Sequence, residues 1–156
     1  MKRVVLHFDL DTFFVSCERL LDSRLNGKPI IVGGTGDRGV VSAASYETRA
    51  FGVHSGMSMK MARQLCPQAV FIRGNAGIYT KFSKQVTEIL QNEVPVLEKA
   101  SVDEFYADLS GMDKYFGCYK YATELRHKIL KESGLPISFG LSINKCVSKV
   151  ATNEAK

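Results

Sequence analysis

The sequence predicts an α+β fold in which a ferredoxin-like βαββαβ unit is interrupted by a small inserted α/β lobe. Short apolar, β-branched segments alternate with longer segments whose apolar residues recur at helical spacing. When residues 11–76 are set aside, the order that remains is strand, helix, strand, strand, helix, strand, which is the split βαβ pattern. With 156 residues and 45% hydrophobic content, the chain is long enough for one core with a smaller attached lobe.

The chain begins with a predicted strand and helix. Residues 3–8, RVVLHF, are a short apolar, β-branched run that is typical of a buried strand. Residues 11–25 follow with apolar positions at helical spacing, and the segment NGKP stops that helix. The rest of the inserted lobe is predicted to contain, in order, two strands joined by a glycine-rich turn, two short helices and a further strand: IIVGG, GVVSAAS, YETRAFGV, MSMKMARQLC and AVFIR.

The second half of the chain supplies the remaining elements of the βαββαβ unit. Residues 76–94 predict an amphipathic helix, with an apolar face made of Ile78, Phe82, Val86, Ile89 and Leu90. Residues 96–111 predict two strands around a tight turn at residues 102–104. A second amphipathic helix, a strand and a helix with an asparagine cap complete the order: residues 119–134, residues 136–143 and residues 144–156.

Composition limits the classes of partner. The formal net charge of +5 suits a polyanionic partner, although a solvated lysine-rich surface gives the same bias. The four cysteines show no C-x-x-C pairing and no histidine at ligand spacing, so we expect reduced, mostly buried thiols in a cytosolic protein and no zinc site. The start of the chain is too short and too soon acidic for a signal peptide, and no apolar run approaches the roughly 20 residues that span a bilayer.

Acidic residues gather in one segment of this basic protein. Residues 96–113 hold five acids against Lys99 alone: Glu98, Asp103, Glu104, Asp108 and Asp113. In a βαββαβ sheet the first strand pairs antiparallel with the third, so Asp9 is expected to lie beside Glu104. Unpaired carboxylates this close raise one another's pKa values, and Mg²⁺ or Mn²⁺ would relieve the repulsion. Two such ions bridged by aspartates are the arrangement used for in-line phosphoryl transfer.

Two other interpretations of these acids are open. Asp9 and Asp11 could be the nucleophile and the acid/base partner of a phosphatase, but its D-x-D-x-T/V signature meets Phe13 at the fifth position, and the hairpin order argues against the doubly wound sheet that it requires. The acidic pair at the hairpin could also be an ordinary polar turn, although its predicted proximity to Asp9 favours a metal site. Asp11 is then predicted to cap the helix that starts at Thr12.

Five blocks of the sequence together resemble the Y-family translesion DNA polymerases, and most closely their bacterial DNA polymerase IV branch: HFDLDTFFVSCE, GKPIIVGG, VVSAASYETRAFGVHSGM, KASVDEFYADLSG and GLSINKCVSKVATNEAK. The resemblance covers essentially the whole chain. It implies a low-fidelity, template-directed DNA polymerase of the bacterial cytoplasm, with primer–template DNA and deoxynucleoside triphosphates as partners. The palm would comprise residues 1–10 and 77–156, and the fingers lobe residues 11–76.

The resemblance also implies which residues hold metal. Asp103 and Glu104 would be catalytic. Together with Asp9 and the backbone carbonyl of Phe8, they would hold two Mg²⁺ ions, for which Mn²⁺ could substitute.

A second set of residues is implied to bind the nucleotide. Tyr46, Arg49 and Lys156 would contact the triphosphate, Phe14 would be the steric gate against the sugar, and Phe13 would be its neighbour in the nucleotide pocket. The chemistry agrees, because a guanidinium binds phosphate oxygens bidentately and a lysine supplies a point charge. On spacing alone, the gate position could equally be core, and the tyrosine and arginine a surface helix pair.

A basic stripe is predicted on the last helix. Lys145, Lys149 and Lys156 fall at helical spacing on one face, and we expect the first two to bind nucleic acid. A solvent-facing stripe is the alternative.

The family that the sequence resembles continues beyond this point with a thumb, a little finger and a terminal peptide for a sliding clamp. We therefore expect a palm-plus-fingers fragment that binds DNA weakly, since phosphate contacts dominate affinity. Two rival functions are a nucleotide cyclase, which has a similar acidic pair but needs a turn like GG[DE]EF where this chain has SVDEF, and a non-enzymatic nucleic-acid-binding module.

Overall fold

The computed structural model describes residues 3–111 and 117–156, so Asp113 of the acidic segment lies outside the described residues. The elements along the chain are β1 (Val5–Leu10), α1 (Phe13–Leu21), β2 (Ile30–Gly33), β3 (Val41–Ala44), α2 (Tyr46–Arg49), α3 (Met59–Leu65), β4 (Val70–Arg73), α4 (Ala76–Glu93), β5 (Leu97–Lys99), β6 (Glu104–Asp108), α5 (Cys118–Ser133), β7 (Ile137–Ser142) and α6 (Lys145–Ala155).

The chain divides into two compact units. The first unit comprises Met1–Asp11 and Thr80–Lys156, and the second unit is the contiguous segment Thr12–Tyr79. The predicted inserted lobe, residues 11–76, differs from the second unit by one residue at its start and three at its end.

The first unit is built on a four-stranded sheet in the order β5-β6-β1-β7. Strand β1 pairs antiparallel with both β6 and β7, and β5 pairs antiparallel with β6. The predicted pairing of the first and third strands of this unit is confirmed, because Asp9 lies directly opposite Glu104 in the ladder.

Alternation along β1 separates an apolar face of the sheet from a polar one. Leu6, Phe8 and Leu10 are buried on one face, and His7 and Asp9 belong to the other face, because successive side chains of a strand point to opposite sides. The two long helices of this unit contribute further buried residues to its core: Val86, Leu90, Leu125 and Ile129. The buried face of α4 runs through Tyr79, Ser83, Val86 and Leu90, whereas the predicted Ile78, Phe82 and Ile89 are only half-buried.

Helix α6 packs against the polar face of β1 and against β7. Its start is capped as predicted, since the Asn144 side chain accepts a hydrogen bond of 2.9 Å from the Val147 amide. Gly140 of β7 permits the close approach of the helix. A Cβ atom at Gly140 would lie 2.5 Å from the Thr152 nitrogen and closer still to the Ser148 carbonyl oxygen.

The second unit has its own three-stranded sheet and core. The strand order is β3-β2-β4, with β2 antiparallel to β3 and parallel to β4. Helix α3 begins at Ser58, whose hydroxyl accepts from the Met61 amide at 3.2 Å. The buried residues of this core come from both the strands and the helix: Ile31, Val41, Ala44, Val53, Met57, Met59, Ala62, Cys66 and Ala69.

Two predictions about α1 are wrong. The helix ends at Leu21 rather than continuing to residue 25, because Asp22 accepts from the Arg24 amide and starts a separate 3₁₀ turn over Ser23–Leu25. Asp11 does not cap the helix. Thr12 is its N-cap residue, with no side-chain cap and a left-handed φ of 39°, while the Asp11 carboxylate accepts hydrogen bonds of 2.8 and 2.9 Å from the Ser138 hydroxyl.

All four cysteines are free thiols: Cys17, Cys66 and Cys118 are buried, and Cys146 is exposed. The burial of three of the four confirms the prediction that the thiols are mostly buried. Within residues 3–111 and 117–156, none of the helices has the length and apolar character needed to cross a membrane.

Replacing Gly140 with alanine is expected to destabilise the protein by about 1–3 kcal/mol, because the added methyl group forces α6 away from β7. Urea unfolding measures the loss. Gly77→Ala in the first turn of α4 is the control, since the nearest atom there is the Asn75 side-chain oxygen at 3.4 Å. A Gly140→Ala protein as stable as this control would contradict the close-packing argument.

Candidate active site

Three carboxylates meet where β1 ends and β6 begins. Asp9 lies opposite Glu104 in the register, and the Leu10 amide donates a 2.9 Å hydrogen bond to the Asp103 carbonyl. This backbone bond ties the β5–β6 turn to the end of β1. The structure therefore brings together the three carboxylates that the sequence predicted as metal ligands, and all of them belong to the first unit.

The Glu104 carboxylate is surrounded by donors. Its Oε1 atom lies 3.2 Å from His7 Nε2 and 3.1 Å from Lys149 Nζ, and its Oε2 atom lies 3.5 Å from Ser101 Oγ. The Ser101 hydroxyl lies closer to Asp103, at 2.9 Å from Oδ1. Glu104 is thus held by a lysine and a histidine, whereas in the described part of the chain the side-chain donor to Asp103 is the Ser101 hydroxyl.

His7 is a residue that the sequence did not single out. It is fully buried, and its Nδ1 atom lies 2.7 Å from the Thr152 hydroxyl of α6. Burial lowers the pKa of His7, and this outweighs the hydrogen bond and the charge of Glu104, which act to raise it. The ring is therefore neutral at pH 7, and its contact with Glu104 is a hydrogen bond rather than an ion pair. The available signal was its position two residues before Asp9, on the same face of β1.

The two adjacent acids have opposite pKa shifts. Burial raises the pKa of Asp103, the charges of Asp9 and Glu104 raise it further, and the hydrogen bond from Ser101 opposes them. Burial also acts to raise the pKa of Glu104, but hydrogen bonds from Lys149 and His7 outweigh it, so this pKa lies below its ordinary value. The protein alone therefore compensates the charge of Asp103 less well than that of Glu104.

The predicted basic stripe of α6 faces acids of the sheet. Lys156 Nζ lies 2.6 Å from Asp9 Oδ2, and Lys145 Nζ lies 2.5 Å from Glu98 Oε2. With the Lys149–Glu104 pair, each of the three stripe lysines contacts one carboxylate. The predicted binding of nucleic acid by Lys145 and Lys149 stays a prediction.

The donor set fits a divalent metal ion. Carboxylate oxygens are the ligands that Mg²⁺ and Mn²⁺ prefer. Burial first, and then the charges of Asp9 and Glu104, raise the pKa of Asp103, and a bound cation would relieve both costs. Across residues 3–111 and 117–156, however, no group of three or more acidic, histidine or cysteine side chains is already arranged to hold an ion. The described contacts explain this, because Glu104 turns towards His7 and Lys149, and Asp9 turns towards Lys156.

The ladder argues against the Phe8 carbonyl as the backbone metal ligand. Hydrogen-bonded pairs alternate along an antiparallel ladder, and the bonds from Leu109 N to Val4 O and from Leu10 N to Asp103 O fix which pairs they are. The pair Phe8–Phe105 has the same parity, so the Phe8 carbonyl accepts the Phe105 amide inside the sheet. The Leu10 carbonyl faces the Asp103 side at the end of β1 and is the better candidate.

In the second unit, Tyr46 and Arg49 contact each other across one turn of α2. The Arg49 guanidinium lies 5.0 Å from the centre of the Tyr46 ring, and Arg49 Nε donates to the Ala44 carbonyl at 3.1 Å. Tyr46 is 51% exposed. The pair is therefore positioned by its own strand and helix, with the tyrosine ring open to a ligand.

The predicted gate residue, Phe14, is stacked on Tyr79. The ring centres are 4.4 Å apart with an interplanar angle of 17°, and the Tyr79 hydroxyl donates to Glu18 Oε1 at 2.7 Å. Phe13 packs beside both rings and is only 4% exposed, which leaves little of it for contact with a nucleotide. The sequence predicts that Tyr79 lies in a helix, but its contact with Phe14 was not predicted. Its spacing of four residues from Ser83 and seven from Val86, which places it on the buried face of that helix, was the available signal.

Curated relatives match almost the whole chain but are much longer. DNA polymerase IV 2 of Mesorhizobium japonicum is 47% identical over 97% of this chain and 36% of the relative. DNA polymerase IV of Treponema denticola is 44% identical over 99% of this chain and 40% of the relative. The chain thus spans between a third and a half of the length of these two proteins.

Solved structures also match almost the whole chain. The insertion ternary complex of Dbh DNA polymerase matches with a TM-score of 0.91 and 29% identity, over 98% of this chain and 46% of that one. DinB from Sulfolobus solfataricus matches with a TM-score of 0.91 and 30% identity, over the same shares of the two chains.

The fold, the carboxylates and these matches define the class: a catalytic region of the Y-family DNA polymerase type. More particularly, the chain belongs to the impB/mucB/samB family, whose model matches residues 8–153. Homology to Y-family polymerases implies the use of divalent metal ions.

Asp103→Asn is expected to raise the free energy of unfolding at pH 7 when metal is removed with EDTA. The pKa of Asp103 is raised in the folded protein, so its charged form lowers the free energy of unfolding. This loss of stability is fully present above the folded-state pKa. It vanishes below the ordinary value of 3.8, where Asp103 is protonated in both the folded and the unfolded protein. The gain should therefore shrink as the pH falls.

Asp108→Asn is the matched control for this measurement. The Ser110 hydrogen bonds lower the pKa of Asp108, so its replacement should lower stability at pH 7. Urea unfolding between pH 7 and pH 3 checks both signs. A loss of stability in Asp103→Asn at pH 7 would contradict the conclusion that burial and the neighbouring carboxylates raise the pKa of Asp103.

Proposed function

We propose that this chain is the palm and fingers portion of a low-fidelity, template-directed DNA polymerase that carries out translesion synthesis in the bacterial cytoplasm. Residues 1–10 and 77–156 would be the palm, and residues 11–76 the fingers. The observation that carries the proposal is the register that sets Asp9 opposite Glu104 beside Asp103, in a chain of this family.

Asp9, Asp103 and Glu104 are the proposed ligands of two Mg²⁺ ions, for which Mn²⁺ could substitute, with the Leu10 carbonyl favoured over the predicted Phe8 carbonyl. Bound there, the metals would lower the pKa of the primer 3′-hydroxyl and stabilise the pyrophosphate leaving group. The reaction is attack of that hydroxyl on the α-phosphate of a deoxynucleoside triphosphate. The residues of the chain contribute mostly positioning and charge stabilisation.

Tyr46, Arg49 and Lys156 are the proposed contacts to the triphosphate, and Lys145 and Lys149 the proposed contacts to DNA. The guanidinium offers paired donors to phosphate oxygens, and the lysines offer point charges. Small side chains in the segment VVSAAS of the fingers would press weakly on a nascent base pair, which supports loose selection by shape. Firm grip on duplex DNA and contact with a sliding clamp are proposed to reside in parts of the longer relatives that this chain does not span.

Calorimetry with a deoxynucleoside triphosphate and Mg²⁺ tests the proposal directly. We expect metal-dependent binding that is lost in Asp9→Ala and in Arg49→Ala. The control Arg63→Ala removes an exposed arginine that contacts Asp37, and it should bind like wild type. Conversion of nucleotides to a cyclic dinucleotide, in place of an extended primer, would contradict the polymerase and favour the cyclase.

In a longer protein that contains this region together with the DNA-gripping regions, Asp103→Ala and Glu104→Ala are each expected to reduce single-nucleotide insertion by at least about a hundredfold, because each removes a group that stabilises charge in the transition state. Circular dichroism should show an intact fold. Glu98→Ala is the matched control, since this acid of β5 contacts Lys145 and is not a proposed ligand. Normal insertion by either of the first two variants would contradict the metal assignment.

Phe14→Ala is expected to raise ribonucleotide insertion relative to deoxyribonucleotide insertion by about 10- to 100-fold, because the aromatic face leaves no room for a 2′-hydroxyl. The ratio of the two specificity constants measures this. Tyr79→Phe keeps a ring against Phe14 and removes only the hydroxyl that binds Glu18, so its ratio should stay at the wild-type value. An unchanged ratio in Phe14→Ala would make this residue core rather than gate.

A further inference from the structure

Two lysines, Lys149 of α6 and Lys156 directly after its last residue, contact carboxylates that are also the proposed metal ligands. Lys149 Nζ lies 3.1 Å from Glu104 Oε1, and Lys156 Nζ lies 2.6 Å from Asp9 Oδ2. Asp103, the third proposed ligand, takes its hydrogen bond from the Ser101 hydroxyl at 2.9 Å. The two lysines thus contact Glu104 and Asp9 but not Asp103.

We propose that Asp9 and Glu104 each hold one lysine, Lys156 and Lys149, in an ion pair, and that these amines become available to phosphate groups only when a divalent cation takes over the two carboxylates. Lys156 would then bind the triphosphate, and Lys149 a phosphate group of the triphosphate or of DNA. The inference rests on the proposed function and adds that the metal ions bind before the lysines can contact phosphate. Metal binding and triphosphate binding become linked because they draw on the same ion pairs.

The linkage follows from competition for the same oxygen atoms. A carboxylate oxygen that holds an ammonium group at 2.6 Å has its charge largely compensated, and a hard divalent cation bound there would take the place of the ammonium group. The released ammonium group then needs a new anion, and phosphate oxygens provide one.

Helix α6 itself is fixed, so the exchange is confined to side chains. The Ser148 hydroxyl donates to the Val5 carbonyl at 2.7 Å, and Gly140 allows direct backbone contact between β7 and the helix. The side chains of Lys149 and Lys156 are 50% and 27% exposed, so both can swing towards solvent while the helix stays in place.

The test measures binding of inorganic tripolyphosphate by calorimetry in EDTA, where no metal takes part. Asp9→Asn and Glu104→Gln free one lysine each, so each should bind tripolyphosphate about fivefold to tenfold more tightly than wild type, as expected for one charge-assisted contact. Asp103→Asn is the charge-matched control, because it also removes one carboxylate from the cluster but frees no lysine. Its affinity should stay within about twofold of wild type.

A second pair of variants tests whether the gain comes from the released amine. Adding Lys156→Met to Asp9→Asn, or Lys149→Met to Glu104→Gln, should remove the gain, and urea unfolding identifies any variant whose fold is lost. Equal gains in Asp9→Asn, Glu104→Gln and Asp103→Asn would reduce the effect to net charge and overturn the proposal. Absence of any gain in the first two would overturn it as well.

Failure of this inference is distinguishable from failure of the proposed function. The release of the lysines is measured without metal in this chain, whereas the polymerase proposal fails when a longer protein that contains this region and the DNA-gripping regions inserts no nucleotide with Mg²⁺.

Discussion

The arrangement of the first unit depends on two carboxylates that face each other across an antiparallel strand pair. Like charges directly opposite each other in a sheet are destabilising, and the strand register places Asp9 directly opposite Glu104. Donors therefore converge on them from β1 and α6: His7, Lys149 and Lys156. Lys149 and the neutral His7 ring hold the Glu104 carboxylate, and Lys156 contacts Asp9, whereas Asp103 is compensated less well than Glu104.

This compensation depends in turn on how closely α6 approaches the sheet. Gly140 has no side chain to hold the helix away from the sheet. The small polar residues Ser148 and Thr152 of the helix fill the contact and hydrogen-bond to β1. A packing change at Gly140 would therefore act as an electrostatic change at the carboxylates. The helix serves both as a cover for the sheet and as its source of positive charge.

Much of this could be predicted from the sequence because it follows from element order. The order βαββαβ alone sets Asp9 beside Glu104, and a local capping signal gave the start of α6 at Asn144. Contacts between residues far apart in the chain have no such signal. The Lys156–Asp9 pair and the His7–Thr152 bond depend on the exact seating of a helix on a strand, and the assignment of the Phe8 carbonyl depended on ladder parity. Asp11 was misassigned as a cap because Ser138, its hydrogen-bond partner, lies across the sheet.

The position of β1 in its sheet has a consequence for the order of events during protein synthesis. The strand is translated before both of its neighbours, residues 104–108 and residues 137–142, which follow much later in the chain. The second unit is contiguous and complete at Tyr79, so it has all its residues while the apolar strand VLHFDL still has no partner. Until translation reaches β6, the strand has no partner within its own sheet, and one of its edges stays unpaired until β7 follows, so it is a site for misassociation with other chains.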